Sequence, residues 1–360
     1  MNPDQKRWLW RGVKLCAALV VLVFVGVRFW RDLERLDFNA VQLRPGWLLA
    51  SGGLYLLGTL PQAWFWRHVL GVFGYPVSVY GALRANLISQ LGKYVPGKAL
   101  AVLMRAHLVH CQGVPYGVSV ISTIYEVFTG MAAGAMIACL VFVIDPPALV
   151  AGFKLHPALM GSVLIALCGI PLMPGVFNFV IARLTARIQA LELYRLPPVR
   201  FNTLGRGLLA TGAGWWLQGL SVWAMFQAVV PEPRELTLSW WAQCTAAIAF
   251  ASVAGFVAFF LPAGFGVREG LLLTLLGESD PPDPHVAVGV ILLRLDWIIA
   301  EALFTLCTYW IKPAGARSEL AGATNADQTI GGLPSPPAPL PEGEGRKAEA
   351  PSSEGEGRKA

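Results

Sequence analysis

The stretch Tyr116–Ile144, YGVSVISTIYEVFTGMAAGAMIACLVFVI, decides the fold. It is apolar or small almost throughout, has no proline, and carries a single charge, Glu126. A helix that crosses a bilayer needs about 20 mostly apolar residues, and this run is longer than that. Similar runs lie at Val13–Trp30, Gly46–Trp66, Ala158–Ile181, Thr203–Val230 and Val286–Ile311. The composition agrees. Of 360 residues, 55% are hydrophobic and only 14% charged, with a mean hydropathy of +0.55, whereas about a quarter of a soluble domain is charged. A water-soluble globular domain, a disordered chain and a disulfide scaffold are all excluded. The expected fold is an all-α integral membrane protein, a polytopic helical bundle.

Two further apolar stretches are interrupted. Val79–Leu108 breaks at Tyr94-Val95-Pro96-Gly97, and Leu238–Leu276 breaks at Pro262-Ala263-Gly264-Phe265-Gly266. Proline removes a backbone donor and pushes the preceding residue out of the helical region. Non-helical backbone at membrane depth is tolerated only where protein or a water-filled cavity covers it. Each stretch therefore reads as a broken or re-entrant hairpin lining a cavity. The sum is about six full spans plus two hairpins, or eight spans if both hairpins cross. A span with a buried acid, Glu126 or Glu301, follows each hairpin, which is the pattern of an inverted repeat.

Charge bias orients the chain. Lys6, Arg7 and Arg11 precede the first span and Lys14 stands at its start; the span reads as an uncleaved anchor, and Arg67–Pro115 carries five Lys and Arg and no acid. By the positive-inside rule the N-terminus is cytoplasmic, and the span count returns the C-terminus to the same side. Residues 1–312 form the membrane domain. Residues 313–360 are a Pro/Gly/Glu-rich tail in which Glu-Gly-Glu-Gly-Arg-Lys-Ala occurs at 342–348 and again at 354–360; such a composition cannot bury a core and is expected to be disordered.

Three groups of residues carry the chemistry. Pro96 suits the first turn of a helix, and Lys93, Lys98 and Arg105 place three cations around that helix start with no acid nearby in sequence. With Gly97 allowing close approach, this is a phosphate-binding arrangement. Gly264 and Gly266 form a second special backbone, followed by Arg268 and Glu269; neighbours on a helix do not face each other, so each needs a partner elsewhere. Glu126, Arg294, Asp296 and Glu301 are buried ionisable groups, costly in a bilayer unless paired or functional. They serve a zwitterionic or cationic headgroup or proton coupling, or else act as struts between helices. Trp64-Phe65-Trp66, Trp215-Trp216 and Trp240-Trp241 read as interfacial anchors.

No Walker A sequence, GxSxG elbow or metal-ligand set occurs. The six cysteines are dispersed and read as small core residues. No cofactor, catalytic residue or nucleic-acid partner is expected.

In combination, Gln90-Leu-Gly-Lys-Tyr-Val-Pro-Gly-Lys98, Gly113-Val-Pro115, Ser122 and Glu126 resemble the first half of the lysylphosphatidylglycerol synthase transmembrane family. Leu261-Pro-Ala-Gly-Phe-Gly-Val-Arg-Glu-Gly-Leu271, then Arg294 with Glu301, resemble its second half. The likeness covers about residues 10–312. It implies a flippase-like protein of the bacterial inner membrane without a synthase domain, with anionic or aminoacylated phospholipid as its partner. Lys93, Pro96, Gly97, Lys98, Arg105, Gly264, Gly266, Arg268 and Glu269 would bind the headgroup. The alternative is a non-transporting scaffold for a lipid-synthesis enzyme, acting on phospholipid, hopanoid or isoprenoid-linked glycolipid.

Overall fold

The computed structural model describes residues 43–94, 99–147, 162–163, 165–166, 169–185, 196–231, 235–257, 264, 266–277 and 284–309. Among them are nine α-helices and no strand: α1 (Pro45–Val72), α2 (Val79–Gln90), α3 (Ala99–His110), α4 (Tyr116–Ile144), α5 (Pro174–Thr185), α6 (Phe201–Val229), α7 (Leu238–Val257), α8 (Val267–Leu276) and α9 (Pro284–Tyr309). Short 3-10 turns occupy Leu91–Tyr94 and Ile170–Leu172. The expected first span Val13–Trp30, the tail 313–360, and the residues Pro96, Gly97, Lys98 and Pro262 lie outside the described residues.

Local sequence sets the helix boundaries. Pro45 opens α1 at a position where its missing N–H costs nothing. The Ser78 hydroxyl caps α2 by accepting from the Gly81 N–H at 3.0 Å. Gly266, at φ +85°, caps α8, and its N–H donates to Glu269 Oε2 at 2.7 Å. A carboxylate from the helix's own first turn thus satisfies this N–H. Both interrupted stretches resolve into two separate helices, α2 with α3 and α7 with α8. The expected fourth span, Ala158–Ile181, is not one continuous helix. Pro171 and Pro174 break it, giving the 3-10 turn and a separate α5 that starts at Pro174.

Of the described helices, α4 and α7 are long and apolar enough to cross a membrane by length and composition. Helices α1, α6 and α9 match them in length, at 28, 29 and 26 residues. Large apolar side chains point outward from many helices, among them Leu49, Leu57, Leu140, Ile144, Leu209, Leu303 and Leu306. Water-soluble monomers rarely expose such faces.

The centre of the bundle is the pairing of α1 with α6, the most extensive helix contact among the described elements. At its midpoint Gly58 and Gly214 meet backbone to backbone. A methyl group added at Gly58 would stand 3.0 Å from the Gly214 carbonyl oxygen, and one at Gly214 would stand 2.6 Å from that of Gly58. Small residues permit this close helix approach within a membrane. About two turns to one side, Ser221 Oγ donates to the Ser51 carbonyl at 2.8 Å. About two turns to the other, the Phe65 ring packs on Gly207. The three contacts run in opposite order along the two helices, so α1 and α6 are antiparallel.

Around this seam the packing is paired. Helix α1 contacts α2, α4 and α9, and α6 contacts α7, α9 and α4. The contacts α2–α3, α3–α4 and α2–α9 have the counterparts α7–α8, α8–α9 and α7–α4. Exchanging α1–α4 for α6–α9 therefore maps each of these contacts onto another.

Candidate functional site

A cavity of about 520 Å³ opens between these helices. Helix α1 supplies Tyr55, Thr59 and Gln62; α2 and the turn after it supply Ser89, Gln90, Lys93 and Tyr94; α3 supplies Arg105. Thr123 and Glu126 come from α4, Trp215 and Gln218 from α6, Ser252 and Phe256 from α7, Arg268 from α8, and Arg294 and Trp297 from α9. The wall is mainly apolar and aromatic, with charged groups at intervals.

Among the described residues, three ion pairs border the cavity. Glu301 is fully buried and receives three donors: Lys93 Nζ and the Tyr55 hydroxyl on Oε1, and the Tyr94 hydroxyl on Oε2 at 3.0 Å. Glu126 pairs with Arg105, Oε2 to Nη1 at 2.7 Å, both nearly devoid of solvent contact. Arg105 also donates from Nε to Ser89 Oγ at 3.2 Å and lies over the Trp66 ring, 4.9 Å from its centroid. Arg294 pairs with Glu269. Glu269 therefore both caps α8 and ties it to α9.

The fourth cation differs. The Arg268 guanidinium lies 4.5 Å from the centroid of the Trp297 ring. Trp297 in turn stacks on Tyr55, with centroids 4.1 Å apart and planes 17° apart, and its indole N–H donates to Ser221 Oγ at 2.9 Å. Among the described residues, no carboxylate forms an ion pair with Arg268. The aromatic face holds a cation without cancelling its charge.

Several expectations change at this point. The cations Lys93 and Arg105 have no acid near them in sequence, but α9 and α4 bring Glu301 and Glu126 to them. The two are thus neutralised rather than held open for phosphate. Arg268 and Glu269 do find separate partners. Arg294 and Glu301 share a face of α9 but pair with different helices. Asp296 is off the cavity wall, its Oδ1 about 3.0 Å from where a side chain at Gly52 would begin. Trp66 and Trp215 are buried rather than interfacial, because Trp66 donates to Ser122 Oγ at 3.0 Å and Trp215 to the Gly130 carbonyl at 2.8 Å. A buried Trp needs such a partner, and each one has it.

Sequence reasoning passed over Tyr55, Trp297, Ser89, Gln62 and Gln218. Each is a polar or amphipathic group inside an apolar run, the signal that had already marked Glu126 and Glu301.

No curated protein and no solved structure matches the chain. The family described as lysylphosphatidylglycerol synthase TM region matches residues 10–295. That span holds both interrupted stretches, Arg105, Glu126, Arg268 and Arg294, and it covers most of the chain, which belongs to this family of membrane proteins.

Proposed function

We propose that the chain moves a phosphate-bearing lipid between the leaflets of a bacterial inner membrane. The observation that carries this reading is the cavity of about 520 Å³ with Arg268 on its wall. Small-molecule sites typically have volumes of about 300–1,000 Å³, so a headgroup fits while its acyl chains stay in the bilayer. Arginine's fixed fork of donors suits a phosphate. Lys98 and the break around Pro96 would receive the headgroup from the cytoplasmic leaflet.

The fold supports the same reading. Two interrupted segments border the cavity, which is where a bilayer tolerates irregular backbone. Helices α1–α4 and α6–α9 are the halves of an inverted repeat in this reading. The support is the antiparallel seam and the one-to-one exchange of helix contacts. In this reading the chain still crosses at the broken Ala158–Ile181 stretch, giving about six full spans plus the two hairpins, or eight if both cross, with both termini cytoplasmic.

The test is translocation in proteoliposomes containing the full chain, with fluorescent lipids of several headgroups and dithionite added outside. Headgroup-dependent protection loss above that of protein-free vesicles is expected. Its absence with folded protein across the whole panel would overturn the reading.

One observation favours a second reading, a scaffold that holds a lipid-synthesis enzyme. Glu126, Glu269 and Glu301 are each already paired, as struts would be. Stability and transport measured on the same variants separate the two.

A further inference from the structure

The charge balance of the cavity points to the class of lipid that enters it. Among the described residues four cations stand on its wall: Lys93, Arg105, Arg268 and Arg294. Three carboxylates answer them, Glu301, Glu126 and Glu269, one for each of Lys93, Arg105 and Arg294. Among the described residues one positive charge is left without an ion pair, that of Arg268, whose guanidinium lies 4.5 Å from the centroid of the Trp297 ring. Each of these three acids already has its cation, and Asp296, the remaining buried acid of α9 and without an ion pair among the described residues, lies off the cavity wall beside Gly52, so none is presented to an ammonium group. Apolar surroundings raise the cost of an uncompensated charge, so a ligand that restores neutrality is favoured over one that adds to the excess.

We propose that this cavity selects a headgroup with one net negative charge, a phosphodiester with no amine, and rejects aminoacylated, net-cationic headgroups. The inference rests on the lipid-handling reading above. The phosphodiester oxygens take the Arg268 fork. An aminoacyl group would bring ammonium charge into a chamber that is already positive and has no carboxylate to receive it.

The experiment is lipid retention by the purified full-length chain in detergent, read by native mass spectrometry. It uses phosphatidylglycerol, lysylphosphatidylglycerol and phosphatidylethanolamine with identical acyl chains. Phosphatidylglycerol is expected to be retained at least about tenfold better than its lysylated form, as a charge-assisted contact implies. Arg268→Gln should bring that ratio to within about twofold, and Arg268→Lys, which keeps the charge but loses the fork, should keep the direction of the preference at a smaller ratio. Glu126→Gln removes one acid and should raise phosphatidylglycerol retention, a gain that misfolding does not produce.

Equal or better retention of the lysylated lipid overturns the proposal, as does a preference that survives Arg268→Gln. Displacement of the lipid by millimolar inorganic phosphate also overturns it, in favour of a soluble anion. Retention is separate from translocation. A chain that binds selectively but does not flip lipid sinks the transport reading alone, and one that flips lysylated lipid well sinks this one alone.

Discussion

Arg105 and Glu126 form an ion pair at 2.7 Å, with side chains only 6% and 5% exposed. The pair joins α3 to α4 and ends beneath the ring of Trp66. Arg105→Ala or Glu126→Ala strands the other charge and is expected to cost about 3–5 kcal/mol. The double variant Arg105→Met with Glu126→Leu should recover most of that loss. Thermal unfolding in detergent reads all three; a double variant as unstable as the singles would show that the pair is not a strut.

Arg268→Ala removes a cation that, among the described residues, rests on the ring of Trp297. A cation–π contact is worth about 0.5–2 kcal/mol, so the melting temperature should fall little while translocation is lost. Lys98→Ala, in the first break, should behave alike. Normal transport in both variants would remove the proposed headgroup site.

Tyr94 donates to Glu301 Oε2 at 3.0 Å. Tyr94→Phe withdraws one of three donors from a buried carboxylate, at a cost of about 1–3 kcal/mol. Phe should still support the Lys93 pair, so stability falls by less than in Lys93→Met. Chemical or thermal unfolding of the two variants side by side gives the comparison, and equal losses would contradict it.

The Gly58–Gly214 contact predicts a position-specific response to a methyl group. Gly214→Ala forces the added carbon towards the Gly58 carbonyl oxygen and should destabilise the chain by about 1–3 kcal/mol. Gly53→Ala, on the facing helix α1 with nothing within 4 Å of the added carbon, should be neutral or stabilising, since alanine favours helix. Equal melting temperatures for the two would rule out close packing at the seam.

The sequence made the long helices legible. Tyr116–Ile144 was read from its apolar run, and α4 has those bounds. The C-terminal end of α1 was less legible. Arg67 and His68 end the apolar run, but the helix continues to Val72, in part because Arg67 Nε donates to the Val77 carbonyl at 2.9 Å and the polar end is satisfied. The buried acids were identifiable as unusual, but their partners were not. Lys93 and Glu301 lie 208 residues apart, and no local spacing rule reaches that far. Trp66 shows the same limit. Its composition context fits an interface, and only the tertiary position of Ser122 puts it inside.

A seam like that of Gly58 and Gly214 is what a twofold homodimer presents at its axis, where each residue meets its own copy. Glycine faces glycine there, and Gln62 and Gln218 take equivalent places beside it. Farther out the likeness ends: serine meets serine on one side, and phenylalanine meets glycine on the other. A true dimer could not differ in this way, because each change would appear twice. A single chain that contains both sides can alter one and keep the other. That freedom lets the chamber neutralise one cation, Lys93 with Glu301, while Arg268, on the other side of the Tyr55–Trp297 stack, has no ion pair among the described residues. The result is a polarised vessel, suited to a guest with a distinct head.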